Sequence, residues 1–454
     1  MTLNTTKDLE TKSVGRLLLT LSVPAVIGML VNALYSIVDR IFIGRGVGSI
    51  ALSGVAVTFP ITNIIMGVGM LIGIGASAIV SIKLGQKDYQ GAEKIVGNAF
   101  LLTIIFSIIV SIIGLIFLNP ILKMLGASAE TIPYAKTFAR ILLLGAVLQN
   151  IGFGLNSIIR SEGDAKTAMN TMLIGAVLNT ILNPFFIFIC KFGVAGSALA
   201  TLISQAVCSI WVVLYLTRKS LVKLKRCNLK LSSKIFVEIT SIGISPFIMQ
   251  VAASFVTIVF NINLAKYGGD LAVGAYSLIL SIAMLILMPS FGVNQGAQPI
   301  IGYNYGAGKI QRVKKALFYS IIVNTCISFL GWIGVELYAT QIIRLFNKED
   351  VNLIQIASNG LRIYLIVILI VGAQTACINY FQSIGKAIIS IILSLLRQVV
   401  VLIPFVLILP HFYGLNGIWY AGPISDVIST LACAVIMIIE IRKRNPSVVS
   451  HQHS

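Results

Sequence analysis

The sequence predicts an all-α polytopic membrane protein with twelve transmembrane helices in two parallel six-helix repeats. Three observations predict it: an apolar composition nearly free of charge, twelve apolar runs of spanning length, and an internal similarity between the first six runs and the last six. Hydrophobic residues make up 57% of the 454 residues and charged residues only 11%, whereas soluble domains carry about 25% charged residues. A hydrocarbon core about 30 Å thick takes roughly 20 apolar residues per helix. Runs of that kind fall at 17–43, 51–82, 95–118, 136–160, 168–189, 195–217, 235–265, 271–304, 316–346, 353–384, 387–409 and 415–441. Several exceed the crossing length, which predicts tilt or extension beyond the bilayer.

Charge supplies the orientation. The net charge of +19 comes from 34 Lys and Arg against 15 Asp and Glu. Cytoplasmic loops collect Lys and Arg, and an inside amino terminus puts most of them there: Lys7, Lys12, Arg16, Lys83, Lys87, Lys94, Arg160, Lys166, the run from Arg218 to Lys234, Lys309 to Lys315, Lys386, and Arg442 to Arg444. The opposite side holds Arg40, Arg45, Lys123, Lys136, Lys191, Lys266, Arg344 and Lys348. Both termini are therefore expected in the cytoplasm of a bacterial inner membrane. The segment 218–234 carries seven basic residues and no acid; it reads as an amphipathic segment on the anionic inner leaflet. It separates a first lobe at 1–217 from a second at 235–444, with a cytoplasmic tail at 445–454. No basic stretch is interleaved with stacking aromatics, so nucleic acid is not an expected partner. The first sixteen residues are polar and no signal peptide is expected.

The repeat is the most informative feature. At an offset of 221 or 222 residues, Pro24 meets Pro246 and Gly75-Ala76-Ser77-Ala78 meets Gly296-Ala297-Gln298-Pro299. Leu84-Gly85 meets Tyr305-Gly306, Arg140-Ile141 meets Arg362-Ile363, and Ser161-Glu162-Gly163 meets Ser383-Ile384-Gly385. Six spans is an even number, so the repeats run parallel, about an axis along the membrane normal. Such repeats are a transporter design, with the path between the halves. A channel would show a repeated re-entrant filter segment, and none is evident.

Chemistry is sought first among intramembrane acids, since each costs about 2.5–3.5 kcal/mol at a helix centre on insertion scales. Three stand out: Asp39 in span 1, Glu336 in span 9 and Asp426 in span 12. Asp39 lies among Ile37, Val38, Ile41 and Phe42, surroundings that make it a protonatable switch; the plainer reading pairs it with Arg40 or Arg45. For Glu336 and Asp426 the plainer reading is a carboxylate reaching to the surface. Tyr35 stands one turn before Asp39. Asn179 and Asn183 share a face of span 5 at i, i+4, the second just before Pro184, which frees nearby carbonyls. Span 6 adds Thr201. A carboxylate, two amides and a hydroxyl suit a proton or a weakly held Na⁺, although Asn and Thr also serve as glue between membrane helices. At the position of Asp39 the second half has Asn261, and it is rich in Gln and Met. Candidate substrate contacts are Asn156, Gln250, Met284, Met288 and Gln374, with plain packing as the alternative. The six cysteines show no CxxC or metal spacing, the three histidines lie in a loop and the tail, and no phosphate-binding GxxxxGK[ST] occurs. Neither an enzyme nor a cofactor is expected.

These motifs together resemble the multidrug and toxic compound extrusion (MATE) family, and within it the prokaryotic MepA-like and DinF-like branch. The resemblance spans about Val14 to Arg444. It rests on LSVPAVIGMLVNALYSIVDRIFIGRGVG in span 1, GASAIVSIKLGQKDYQGAEK at the end of span 2, IIRSEGDAKTAM after span 4, LNTILNPFFIF in span 5 and GAQPIIGYNYGAGK at the end of span 8. It implies V-shaped lobes and a secondary active antiporter that exports amphipathic, often cationic drugs in exchange for H⁺ or Na⁺. It also implies a first-lobe ion site at Asp39, Asn179, Asn183 and Thr201, with Tyr35 alongside. Relatives commonly carry Asp at the position of Asn183, so one carboxylate is missing here and a proton on Asp39 becomes the expected coupling ion. The acids that another branch places in spans 7 and 10 are absent too. Expected partners are small-molecule drugs, organic cations and bilayer lipids, with no obligatory protein partner. The rival readings are a lipid-linked or polysaccharide flippase of the wider superfamily, which would want a basic cavity, and a membrane receptor or channel.

Overall fold

The computed structural model describes residues 8–344 and 350–443. Lys7, Lys348, Arg444 and the tail 445–454 with its two histidines lie outside the described residues. Among the described residues there are helices and turns and no strand. In a bilayer core only a helix satisfies its own backbone within one segment.

In chain order the helices are α1 (Val14–Gly46), α2 (Ser49–Val57), α3 (Phe59–Gly85), α4 (Tyr89–Ile116), α5 (Leu118–Met124), α6 (Ile132–Leu144), α7 (Ala146–Gly154), α8 (Asn156–Ser161), α9 (Ala165–Pro184) and α10 (Gly193–Arg218). The second half continues with α11 (Ser233–Gly269) and α12 (Leu271–Gly306). It ends with α13 (Ile310–Arg344), α14 (Val351–Leu365), α15 (Ile368–Ser383), α16 (Ala387–Leu395), α17 (Ile403–Ile408), α18 (Pro410–Tyr413) and α19 (Leu415–Lys443). Ten described helical segments are long and apolar enough to cross a membrane, and two bent pairs bring the number to twelve. The pairs are α6 with α7–α8, bent by 59°, and α14 with α15, bent by 50°. Their bends fall at the same place in the two halves, each a few residues after the matched arginines Arg140 and Arg362.

Local chemistry explains the ends. Asp88, Asp164 and Asp350 each cap a helix by accepting the N–H three residues on, from Gly91 at 2.8 Å, Thr167 at 3.1 Å and Leu353 at 3.0 Å; such caps contribute about 1 kcal/mol each. Gly163 and Gly385, matched by the repeat, turn the chain at φ 90° and 77°, where a side chain would be strained. Both halves also carry a π-helical stretch, Phe185–Ile189 after Pro184 and Leu396–Leu402 before Pro404.

Packing groups the described residues into two units. The first holds 8–254, 291–316 and 382–388; the second holds 255–290, 317–344, 350–381 and 389–443. Ile43, Ile65, Leu122, Leu143 and Ala198 lie at the centre of one core of the first. Phe260, Tyr276, Tyr364 and Trp419 lie together in the second, the rings of Phe260 and Tyr276 stacked at 4.7 Å. The outer faces are apolar as well: on α4 the run Ile108, Ile109, Ile112, Ile113 and Ile116 is exposed, a surface that suits lipid and not water.

Between the end of α10 at Arg218 and the start of α11 at Ser233 the basic segment holds a single 3₁₀ turn at Arg226–Asn228, and it is bonded into the first unit. Glu162 accepts from the Ser220 hydroxyl and from the N–H groups of Leu221 (3.1 Å) and Val222 (3.5 Å). Lys225 pairs with Glu93 at 2.8 Å, and Asn98 accepts the Ser232 N–H at 2.9 Å. Backbone groups outside regular structure need such partners. Burial pushes the Glu162 carboxyl up to about 7.

Candidate ion-coupling site

The hairpin of α9 and α10 builds the site. Pro184 ends regular α-helix, the π-helical stretch follows, and the chain turns through Lys191 and Gly193, both at φ 57°. The two helices then run antiparallel in a register that sets Asn183 opposite Ser197 and, one turn away, Asn179 opposite Thr201. Each position lies four residues from its neighbour, so all four polar side chains share one seam.

Asp39 of α1 meets that seam. Its Oδ1 accepts from the Ser197 hydroxyl at 2.6 Å and from the Asn183 amide. Asn179 donates to Thr201 Oγ1 at 3.0 Å, and its own Oδ1 accepts from Asn183 at 3.5 Å. Asn183 and Ser197 are fully buried, and Asn179 nearly so. No cation forms a salt bridge with Asp39 among the described residues: the guanidinium of the neighbouring Arg40 lies over the Phe59 ring, 5.6 Å from its centre, and reaches the carboxylate through its charge alone. The carboxylate is thus held only by neutral donors, each worth about 1.5–3 kcal/mol to a charged acceptor. Asn183 Oδ1 is buried without a partner, an acceptor oxygen adjacent to the carboxylate. Among the described residues no three His, Cys, Asp or Glu side chains cluster as metal ligands.

Tyr35 stands apart from these bonds and lines a cleft beside them, with Asn32, Asn156, Asn179, Thr201, Ser204 and others. Asn156 donates to the Ala168 carbonyl at 3.1 Å, and its Oδ1 is unpartnered. The remaining candidate substrate contacts are elsewhere. Gln250 donates to Asn63 at 3.2 Å in the first unit. Met284, Met288 and Gln374 belong to the second unit, where Met284 is exposed and Gln374 buried. Glu336 is exposed. Asp426 does not reach the surface: it is buried, and Arg397 Nε donates to it at 2.6 Å. Two functional candidates were not singled out in the sequence. Ser197 is the residue one turn before Thr201, and Arg397 is the charge inside an apolar span.

The sequence pattern of MatE matches residues 24–185 and 246–408, the greater part of both halves. The chain belongs to the MatE family. Multidrug export protein MepA of Staphylococcus saprophyticus subsp. saprophyticus is 29% identical over 431 residues, covering 94% of each chain. The protein of that name from Staphylococcus aureus strain MRSA252 is 29% identical over 435 residues with the same coverage. A multidrug resistance MATE family transporter of the MOP superfamily, in its outward-facing conformation, superposes with a TM-score of 0.89 at 27% identity, over 96% of this chain and 98% of that one. This MatE chain is accordingly a multi-pass membrane protein with the MATE transporter fold.

Proposed function

We propose that this chain is a secondary active multidrug antiporter, exporting amphipathic and often cationic organic compounds in exchange for H⁺ by alternating access between two six-span lobes at 1–217 and 235–444. The observation that carries the reading is Asp39, a carboxylate between helices, bonded to the neutral donors Ser197 and Asn183 and paired with no cation. Such a group can be neutralised by a proton or by a cation, and either neutralisation excludes the other. Exchange of one proton for one monocation is electroneutral and driven by ΔpH, about 1.4 kcal/mol per pH unit. Asn183 supports Na⁺ as the second reading: an amide turned to present its oxygen would gather oxygens from Asp39, Asn179, Asn183, Ser197 and Thr201 around a hard cation. With a single anion such a site binds Na⁺ weakly, which favours the proton. Tyr35 and Asn156 would orient the substrate in the adjoining cleft, and the exposed apolar faces meet bilayer lipid, with both termini in the cytoplasm.

The test is ethidium efflux from cells expressing wild type or Asp39→Asn, with Na⁺ and ΔpH varied independently. Dependence on ΔpH alone, lost in a variant that still reaches the membrane, is the expected result. Undiminished efflux by the variant would remove Asp39 from the mechanism.

A further inference from the structure

The two halves carry the same helix positions with opposite fillings. In the first half the cleft beside Asp39 is lined in part by Gly152, Gly175, Ala176, Ser204 and Cys208. The repeat offset of 222 is set by Arg140 with Arg362, by Gly163 with Gly385, and by the matched starts of α9 with α16 and α10 with α19. It carries those five positions onto Gln374, Arg397, Gln398, Asp426 and Thr430. Four small residues and a cysteine become two amides, a hydroxyl and an ion pair. Arg397 Nε donates to Asp426 Oδ1 at 2.6 Å, and the Arg397 carbonyl accepts the Ser425 hydroxyl at 2.6 Å.

The side chains at the other matched positions are not those of a simple tie between helices. Gln374 is 1% exposed, yet neither atom of its amide has a partner. Gln398 Oε1 and Thr430 Oγ1 are buried and unpartnered as well. Buried polar atoms are almost always satisfied, and a group of orphans at equivalent lining positions marks a polar pocket. Arg397 also stands on the π-helical stretch Leu396–Leu402, a distortion often found where a helix serves a site.

We propose that the second half contains a cation site, equivalent in position to the cleft of the first, which the chain occupies with its own Arg397 guanidinium held against Asp426. The ligand class is a guanidinium or small organic ammonium ion, and the tethered one excludes a free one. Exchangeable cations are then confined to the first half. The assignment does not depend on the transport reading, since it concerns binding at Asp426.

Arg397→Gly, which gives this position the residue of the first half, leaves Asp426 as a buried anion beside a guanidinium-sized vacancy. Melting of the purified protein is measured with millimolar guanidinium or methylguanidinium against sodium chloride of the same ionic strength. R397G is expected to melt below wild type and to regain several degrees with guanidinium but not with sodium. Wild type and the double variant R397G/D426S, which lacks the anion, should show no such gain. The reciprocal variant Asp426→Ser, with Arg397 unpaired, should be stabilised by acetate. If R397G can be purified only in the presence of guanidinium, that requirement supports the site equally. Equal guanidinium responses in all proteins would overturn the proposal. So would no response of R397G together with no acetate response of D426S, or failure of both variants to fold with and without their ions.

Discussion

Gln298 donates its amide to the hydroxyl of Ser77 at 3.0 Å, and the two residues hold the same position in the two repeats, 221 apart. A residue meets its own repeat equivalent only where the axis relating the repeats passes between them. The glycines nearby obey the reciprocity that such an axis demands. A Cβ on Gly85 would overlap the Tyr303 carbonyl oxygen, and a Cβ on the matched Gly306 would overlap that of Ile82, the match of Tyr303. Gly75 lies against the backbone of Ile239 in α11, and the matched Gly296 lies against that of Ser22 in α1. Within the first unit, α3 and the end of α12 cross so closely that only glycine fits.

Gly85→Val and Gly306→Val should therefore each prevent this crossing. Because the obstacle is backbone, a neighbouring side chain cannot move aside to accommodate the methyl groups. Ethidium efflux is expected to fall at least tenfold, with membrane abundance kept. A cysteine pair placed at Ser77 and Gln298 should cross-link readily in the otherwise unsubstituted chain and poorly when either valine is present. Equal cross-linking in both would contradict the crossing.

Asn183→Asp restores a second carboxylate beside Asp39. Two anions bonded through one contact repel each other and invite a neutralising cation, so efflux by the variant should become Na⁺-stimulated where wild type is not. A variant indifferent to Na⁺ would place the missing ligand elsewhere.

Glu162 predicts a pH dependence of stability. Its folded value of about 7 stands above the ordinary 4.5, so the folded chain holds that proton more tightly than the unfolded chain. This stabilisation is complete below about pH 4.5 and is lost as pH rises through 7, amounting to a few kcal/mol at most. Thermal melting of wild type should fall relative to Glu162→Gln between pH 5 and pH 8. Parallel curves for the two proteins would mean that the carboxyl is not held in this way.

The amino-terminal segment is fastened to the end of α12 and the start of α13. Arg312 donates to the carbonyls of Leu9 (3.0 Å) and Lys12 (2.7 Å) and to Asn304 Oδ1 (2.8 Å), while Glu10 pairs with Lys309 at 2.8 Å. Leu9 is buried. Arg312→Ala should remove about 1–3 kcal/mol of local stability, seen as faster proteolysis near residues 8–12. An unchanged cleavage rate would assign the hold on this segment to Leu9 packing alone.

Much of the site was legible because helices have a period. Asn179 and Asn183 fall on one face by spacing alone, and Asp39 is conspicuous as an acid among Ile, Val and Phe. Ser197 was not legible, because GVAGSALAT offers several small residues and only the register of the hairpin chooses among them. The position of Asp426 near the end of its span suggests a carboxylate reaching water, whereas its partner inside the protein, Arg397, stands 29 residues away in sequence. The repeat was legible as matched Pro, Gly and Arg positions. The contact of Ser77 with its own equivalent was not, since an offset gives the correspondence of two segments and not their distance.

The most direct measurement for the central claim counts protons exchanged on binding. Ethidium is titrated into purified wild type and Asp39→Asn by calorimetry in buffers of differing ionisation enthalpy, at a pH where wild-type Asp39 is protonated. The account predicts close to one proton released per ethidium bound by wild type and none by the variant. Zero release by wild type, or the same release by both proteins, would contradict the exchange of a proton for a cation at Asp39.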